Sequence, residues 1–169
     1  MNKTKKTKKC TLVKKGDKNK KIVVAVSGYF NPLHVGHLEM IEKAKKLGDY
    51  LVVIVNNDRQ VKLKGRVSFM SEKDRVQIIK ALKWVDEVVL SIDNYRWENG
   101  EVPIIKTLAK VKPNIFANGG DRRKDSANIP ESEICQKLKI KIVDGLGKKI
   151  RASSEIVANA VKKKIKNKI

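Results

Sequence analysis

Five short apolar runs, at residues 21–27, 50–56, 87–92, 114–118 and 139–144, alternate with stretches of helical periodicity, and this alternation leaves the chain few possible folds. The runs, such as Ile22-Val23-Val24-Ala25-Val26 and Leu51-Val52-Val53-Ile54-Val55, are continuously apolar. Strands of that kind are covered on both faces, as in a parallel sheet. Helical patterns fill the gaps at residues 37–47, 71–82, 103–111 and 131–138, and a last helix begins at Ser153. This order predicts an α/β fold: a Rossmann-like, doubly wound open sheet of about five parallel strands with helices on both faces. In such sheets ligands bind outside the carboxyl ends of the strands, where the strand order reverses. Residues just after each strand are therefore the first candidates for function.

The chain has 169 residues and a formal charge of +21. Residues 1–20 hold nine lysines and one acid, a composition that cannot bury enough apolar surface to offset ordering entropy. They are expected to form a disordered basic tail, with one domain spanning 21–169 and ending in a second lysine-rich stretch. Such tails bind nucleic acid weakly and non-specifically through counterion release. The longest apolar runs have five residues, against the roughly 20 that a membrane-crossing helix needs. Cys10 and Cys135 have no second thiol close in sequence, so neither a zinc pair nor a redox motif is available. A reduced, cytoplasmic protein is the expectation.

The first strand runs into Gly28-Tyr29-Phe30-Asn31-Pro32-Leu33-His34-Val35-Gly36-His37 and then directly into a helix. Gly28 permits a sharp turn or the close approach of a ligand. His37 precedes Met40, Ile41 and Ala44 by three, four and seven positions, so its imidazole lies on the sheet-facing side of the first turn. There it stands beside free backbone N–H groups at the positive end of the helix dipole, a ready anion site. The chain's only two histidines, His34 and His37, bracket Gly36. Zinc would need further Asp, Glu or Cys ligands nearby to complete a tetrahedral set, and phosphate is the better ligand.

Other positions follow later strands. Lys62, Lys64 and Arg66 form a loop after the second strand, readable as solvated or as phosphate-binding. Arg75 stands on the buried face of its helix, where a charge must find an anion: either Asp86 or Glu87, or a bound phosphate gripped by the guanidinium fork. Gly119 and Gly120 allow close backbone approach at a strand end, and Asp121 is either a turn cap or a pocket residue. The polar stretch 122–130 is long enough for a lid. Ser153 and Ser154 cap the last helix.

The run from Gly28 to His37 closely resembles the GxFDxxHxGH signature of the cytidylyltransferase-like nucleotidyltransferase superfamily. The resemblance extends over residues 22–157, through Val55-Asn56-Asn57-Asp58, Lys62, Lys64, Arg75, Val85-Asp86-Glu87-Val88, Gly119-Gly120-Asp121 and Ser153-Ser154. In appearance the chain is nearest to glycerol-3-phosphate cytidylyltransferases and heptose 1-phosphate adenylyltransferase domains. The resemblance implies an enzyme in which a phosphorylated small molecule attacks the α-phosphate of a nucleoside triphosphate and pyrophosphate leaves. CMP transfer from CTP is the first expectation. The alternatives are AMP transfer from ATP to a sugar phosphate, or an inactive nucleotide-binding protein. It further implies His34, His37, Lys62 and Arg75 as catalytic residues. Gly28, Tyr29, Phe30, Asn31, Gly36, Lys64, Gly119, Gly120, Asp121, Ser153 and Ser154 would bind the nucleotide. Magnesium would accompany the triphosphate with no dedicated protein ligands, and a homodimer is expected. Two departures stand out: the family usually has Asp where this chain has Asn31, and Ser or Thr where it has Ala152.

Overall fold

The computed structural model describes residues 21–120 and 129–147, together with residues 153, 156 and 159. The basic segment 1–20, the lysine-rich stretch from 160 onward, Asp121, Ser154 and residues 122–128 of the expected lid lie outside the described residues. The strands are β1 (Val23–Gly28), β2 (Tyr50–Val55), β3 (Glu87–Leu90), β4 (Ile115–Gly119) and β5 (Lys141–Leu146). The helices are α1 (Val35–Lys45), α2 (Asp58–Leu63), α3 (Glu72–Lys80), α4 (Ile105–Val111) and α5 (Ser132–Lys137). All strand pairs are parallel, in the order β3-β2-β1-β4-β5, which is the doubly wound sheet expected from the apolar runs.

The core explains why those runs read as continuous. Val24 and Val26 point to one face, where Leu51, Val53 and Val55 join Met40, Ile41 and Ala44 of α1 and Ile79 of α3. Ala25 points to the other, with Ile54 and Phe116, against Leu108 of α4 and Cys135 of α5. Each central strand therefore needs apolar residues at both parities.

One element departs from expectation. The segment carrying Lys62 is a short helix, α2, where a loop is predicted. The Asn57 side chain accepts from Gln60 N–H at 2.8 Å while Gln60 Oε1 accepts from Asn57 N–H at 3.1 Å, a reciprocal cap that starts the helix. Six residues are too few for periodicity to show in the sequence.

Helix α4 has no side-chain cap of its own, and its start is satisfied from a distance. The fully buried Asp93 carboxylate accepts from Lys106 N–H at 2.9 Å, Thr107 N–H at 3.0 Å and the Thr107 hydroxyl at 2.6 Å. This anion at a helix N-terminus joins the segment after β3 to the opposite face of the sheet.

Strands β2 and β3 extend from one side of β1, and β4 and β5 from the other. The strand order thus reverses between β1 and β4. Val26 pairs with Ala117, so the loop after Gly28 and the turn at Gly119 emerge side by side at the carboxyl edge. That crevice is where a ligand of this architecture binds.

Candidate active site

The loop leaving β1 is shaped by Phe30. Its backbone is left-handed (φ 49°), and its ring turns inward to 1% exposure. A Cβ placed on Gly28 would lie 2.9 Å from Phe30 Cζ, so residue 28 must be glycine for the ring to sit where it does. Phe30, expected to contact the nucleotide, is an aromatic of the core, and the glycine at 28 makes room for its ring. Phe30 meets the His37 ring edge-on, centroids 5.1 Å apart at 69°, and so fixes that imidazole from behind.

His34 is the N-cap of α1 and His37 its third residue. The two rings stack with centroids 3.8 Å apart and planes inclined by 24°. His34 N–H donates to His37 Nδ1 at 3.3 Å, which leaves the ring hydrogen of a neutral His37 on Nε2. Burial, with a further contribution from positive charge on His34, lowers the His37 pKa from 6.5 to about 4. His37 is therefore a neutral hydrogen-bond donor at physiological pH. A Cβ on Gly36 would lie 3.1 Å from His34 Cε1, so this glycine leaves the His34 ring its place. The Ser153 hydroxyl donates to the Pro32 carbonyl at 3.1 Å, tying that residue to the same loop.

Arg75, on α3, reaches beneath this loop with 1% exposure. Its Nη1 donates to the carbonyls of Tyr29 at 2.7 Å and Asn56 at 2.6 Å, and its Nη2 donates to Asp58 Oδ1 at 2.8 Å. The guanidinium thus joins the ends of β1 and β2. Its anion is Asp58, whereas the sequence suggests Asp86, Glu87 or a phosphate. The reading of Arg75 as a fork open to substrate gives way to that of an internal tie. Asp86 pairs instead with Lys45 at 2.6 Å. Burial alone would raise the Asp58 carboxyl, but hydrogen bonds from Arg75 and Glu72 N–H, with the arginine charge, hold it below its usual range. Asp58 and Glu72 cap each other's helices: Asp58 N–H donates to Glu72 Oε2 at 2.8 Å, and Glu72 N–H to Asp58 Oδ2 at 3.1 Å.

Asn31 is 7% exposed, and both ends of its amide are used. Nδ2 donates to the Val67 carbonyl at 2.8 Å, and Oδ1 accepts from Phe69 N–H at 2.9 Å. The Arg66 guanidinium lies 5.4 Å from the Tyr29 ring centroid. Lys62 stands exposed in the last turn of α2, and Lys64 caps that helix with Nζ 3.4 Å from the Gly100 carbonyl.

The structure therefore gathers Gly28, Tyr29, Phe30, Asn31, His34, Gly36, His37, Arg75 and Ser153 around one loop, with Gly119 and Gly120 across the β1–β4 crevice. Asp121 and Ser154 lie outside the described residues. Sequence reasoning quotes Asp58 only as part of a motif and misses its pairing with Glu72, which spans two helices. It also passes over Asn118, whose Nδ2 donates to Asp144 Oδ1 at 2.9 Å where β4 and β5 end.

Residues 25–162 match the family model described as cytidylyltransferase-like. The chain belongs to this family. It is a nucleotidyltransferase, and its Rossmann-like sheet is the family's fold. Among curated relatives, an FAD synthase of Pyrococcus abyssi is 36% identical over 126 residues, covering 74% of this chain and 80% of the relative. An FAD synthase of Thermococcus sibiricus is 43% identical over 115 residues, covering 68% and 73%. Among solved structures, one titled as the lipopolysaccharide core biosynthesis protein from Thermoplasma volcanium GSS1 is 31% identical with a TM-score of 0.60, over 76% of this chain and 99% of that one. No helix among the described residues is long and apolar enough to cross a membrane.

Proposed function

We propose that the protein transfers AMP from ATP to flavin mononucleotide, forming FAD and pyrophosphate. The observation that carries the reading is the stacked His34–His37 pair at the start of α1, beside the β1–β4 crevice. The acceptor follows from relatives named FAD synthase at 32–43% identity. In this reading adenine replaces the cytosine suggested by the sequence.

An oxygen of the acceptor phosphate attacks the α-phosphorus of the triphosphate. The new P–O–P bond forms as the α–β bridging P–O bond breaks, and pyrophosphate leaves with the electron pair. No covalent enzyme intermediate is needed, so the protein contributes position and charge stabilisation. The N–H groups at the start of α1 bind the phosphates in the ground state. The neutral His37 offers Nε2–H to oxygens that gain charge during transfer, and His34 stands beside it. Arg75, Phe30 and Ser153 hold the loop that leads into the helix start carrying both histidines, which makes them positioning residues. Among the described residues no group of three or more His, Cys, Asp or Glu side chains converges, and the Asn31 amide is spent on the chain's own backbone. Magnesium accompanying the triphosphate would supply charge screening of its phosphate oxygens.

A second reading, adenylyl transfer to a sugar phosphate, is favoured by the likeness to the lipopolysaccharide core biosynthesis protein. The test is incubation with magnesium, ATP or CTP, and FMN, glycerol 3-phosphate or a panel of sugar 1-phosphates, with pyrophosphate and product both measured. FAD formed from ATP and FMN is the expected result. A nucleotide-sugar product with no FAD would overturn the first reading in favour of the second.

A further inference from the structure

We propose that the Gly65–Met70 loop, held in place by Asn31, is the platform on which the acceptor's planar ring system rests; this rests on the flavin reading above. The loop is fixed at two points. The buried Asn31 amide, three positions before His34, bonds Val67 and Phe69 through their backbones at 2.8 and 2.9 Å. Arg66 lies over Tyr29, whose carbonyl is in turn held by Arg75. What this well-anchored backbone presents is apolar. Val67 is 76% and Phe69 56% exposed, the two most exposed large apolar side chains among the described residues. Apolar groups held in water gain nothing in the free protein and gain by being covered.

The chemistry around them selects the occupant. Arg66 and Lys64 lie on the same segment and suit a phosphorylated ligand. An aromatic ring and a branched aliphatic suit a flat, largely apolar ring, and offer no partner to the hydroxyls of a sugar. The identity of residue 31 fits this role. A carboxylate, usual in the family at this position, can accept from Phe69 N–H but has no hydrogen for the Val67 carbonyl and would face it with negative charge. An amide satisfies both.

The experiment titrates the full-length protein with FMN and, separately, with ATP–magnesium by calorimetry, and measures FAD formation, in wild type, Phe69→Ser and Asn31→Asp. Phe69 is exposed, so its variant should melt with wild type. We expect Phe69→Ser to weaken FMN binding about tenfold, with ATP binding little changed and turnover at saturating FMN preserved. Asn31→Asp should weaken FMN binding in the same direction by releasing the loop. If wild type makes FAD but Phe69→Ser binds FMN as tightly as wild type, the platform is wrong and the flavin reading stands. If wild type binds FMN without making FAD, and Phe69→Ser weakens that binding, the platform stands and the reaction is wrong. A wild type that neither binds FMN nor makes FAD overturns both.

Discussion

The ring of Phe30 fills the space that a side chain on residue 28 would need, with Cζ 2.9 Å from where a Cβ would stand. The ring cannot retreat freely, because its far side meets His37 edge-on. Gly28→Ala should therefore destabilise the protein by about 1–3 kcal/mol through overpacking. It should also lower turnover by displacing His37. Thermal melting and steady-state kinetics on the variant check both, and a second change, Phe30→Leu, should return part of the lost stability. An undiminished melting temperature with impaired nucleotide binding would instead mean that Gly28 is kept for the ligand.

Of the two sequence readings of Arg75, an internal ion pair or a phosphate fork, the contacts favour the first, with Asp58 as the anion. The guanidinium bonds the Tyr29 and Asn56 carbonyls through Nη1 and Asp58 through Nη2 at once, a planar fork of donors that an ammonium does not reproduce. Leaving one or two of these acceptors unpaired costs about 2–4 kcal/mol. Urea unfolding of Arg75→Lys should show that loss, with nucleotide affinity falling only as far as the Tyr29 loop loosens. Wild-type stability with weakened phosphate binding would restore the substrate-fork reading.

The contrast between Arg75 and His37 marks how far the sequence could be read. Both are placed by helical spacing on buried faces, and both are buried or half-buried as expected. Spacing says which side of a helix a residue occupies, and this is enough for His37, whose partners are its own loop and helix start. It cannot say which distant group meets Arg75, because Asp58 belongs to a helix too short to show a period, and the carbonyls of Tyr29 and Asn56 leave no mark in any sequence. The sheet itself was legible, since strands covered on both faces must be apolar at every position. The Asn31 contacts to Val67 and Phe69 were not, since a side chain paired to backbone more than thirty residues away depends on the folded path of the chain.

His37 should make stability depend on pH on the acid side of neutrality. Its pKa falls from 6.5 to about 4 on folding, through burial and then the charge of His34. Between those values the unfolded chain takes up a proton that the folded protein refuses, so stability is greatest above about pH 6.5 and declines as pH falls toward 4. The Asp58 and Asp86 carboxyls, held below their ordinary 3.8, add a decline only at still lower pH. Urea unfolding at pH 7, 6 and 5 should therefore show wild type losing stability and His37→Asn losing less. Parallel losses in the two proteins would place the proton elsewhere.

The histidine pair itself is expected to act on the transition state more than on the bound substrate. Ground-state phosphate binding has its own donors in the N–H groups that open α1, which are present whatever residues 34 and 37 carry. A neutral imidazole adds little attraction to a triphosphate that is already screened by magnesium. It adds more as the equatorial oxygens gain charge, because the donor is held in place by Phe30 and the His34 N–H and needs no reorganisation. His37→Ala should cost about 3–4 kcal/mol of transition-state stabilisation, or about 10²–10³ in turnover. His34→Ala should do the same and also remove the ring stacked on its partner. Nucleotide affinity, measured by calorimetry on the same variants, should fall far less than turnover. Equal losses in the two quantities would make the pair a binding clamp, and unchanged turnover would take it out of the mechanism.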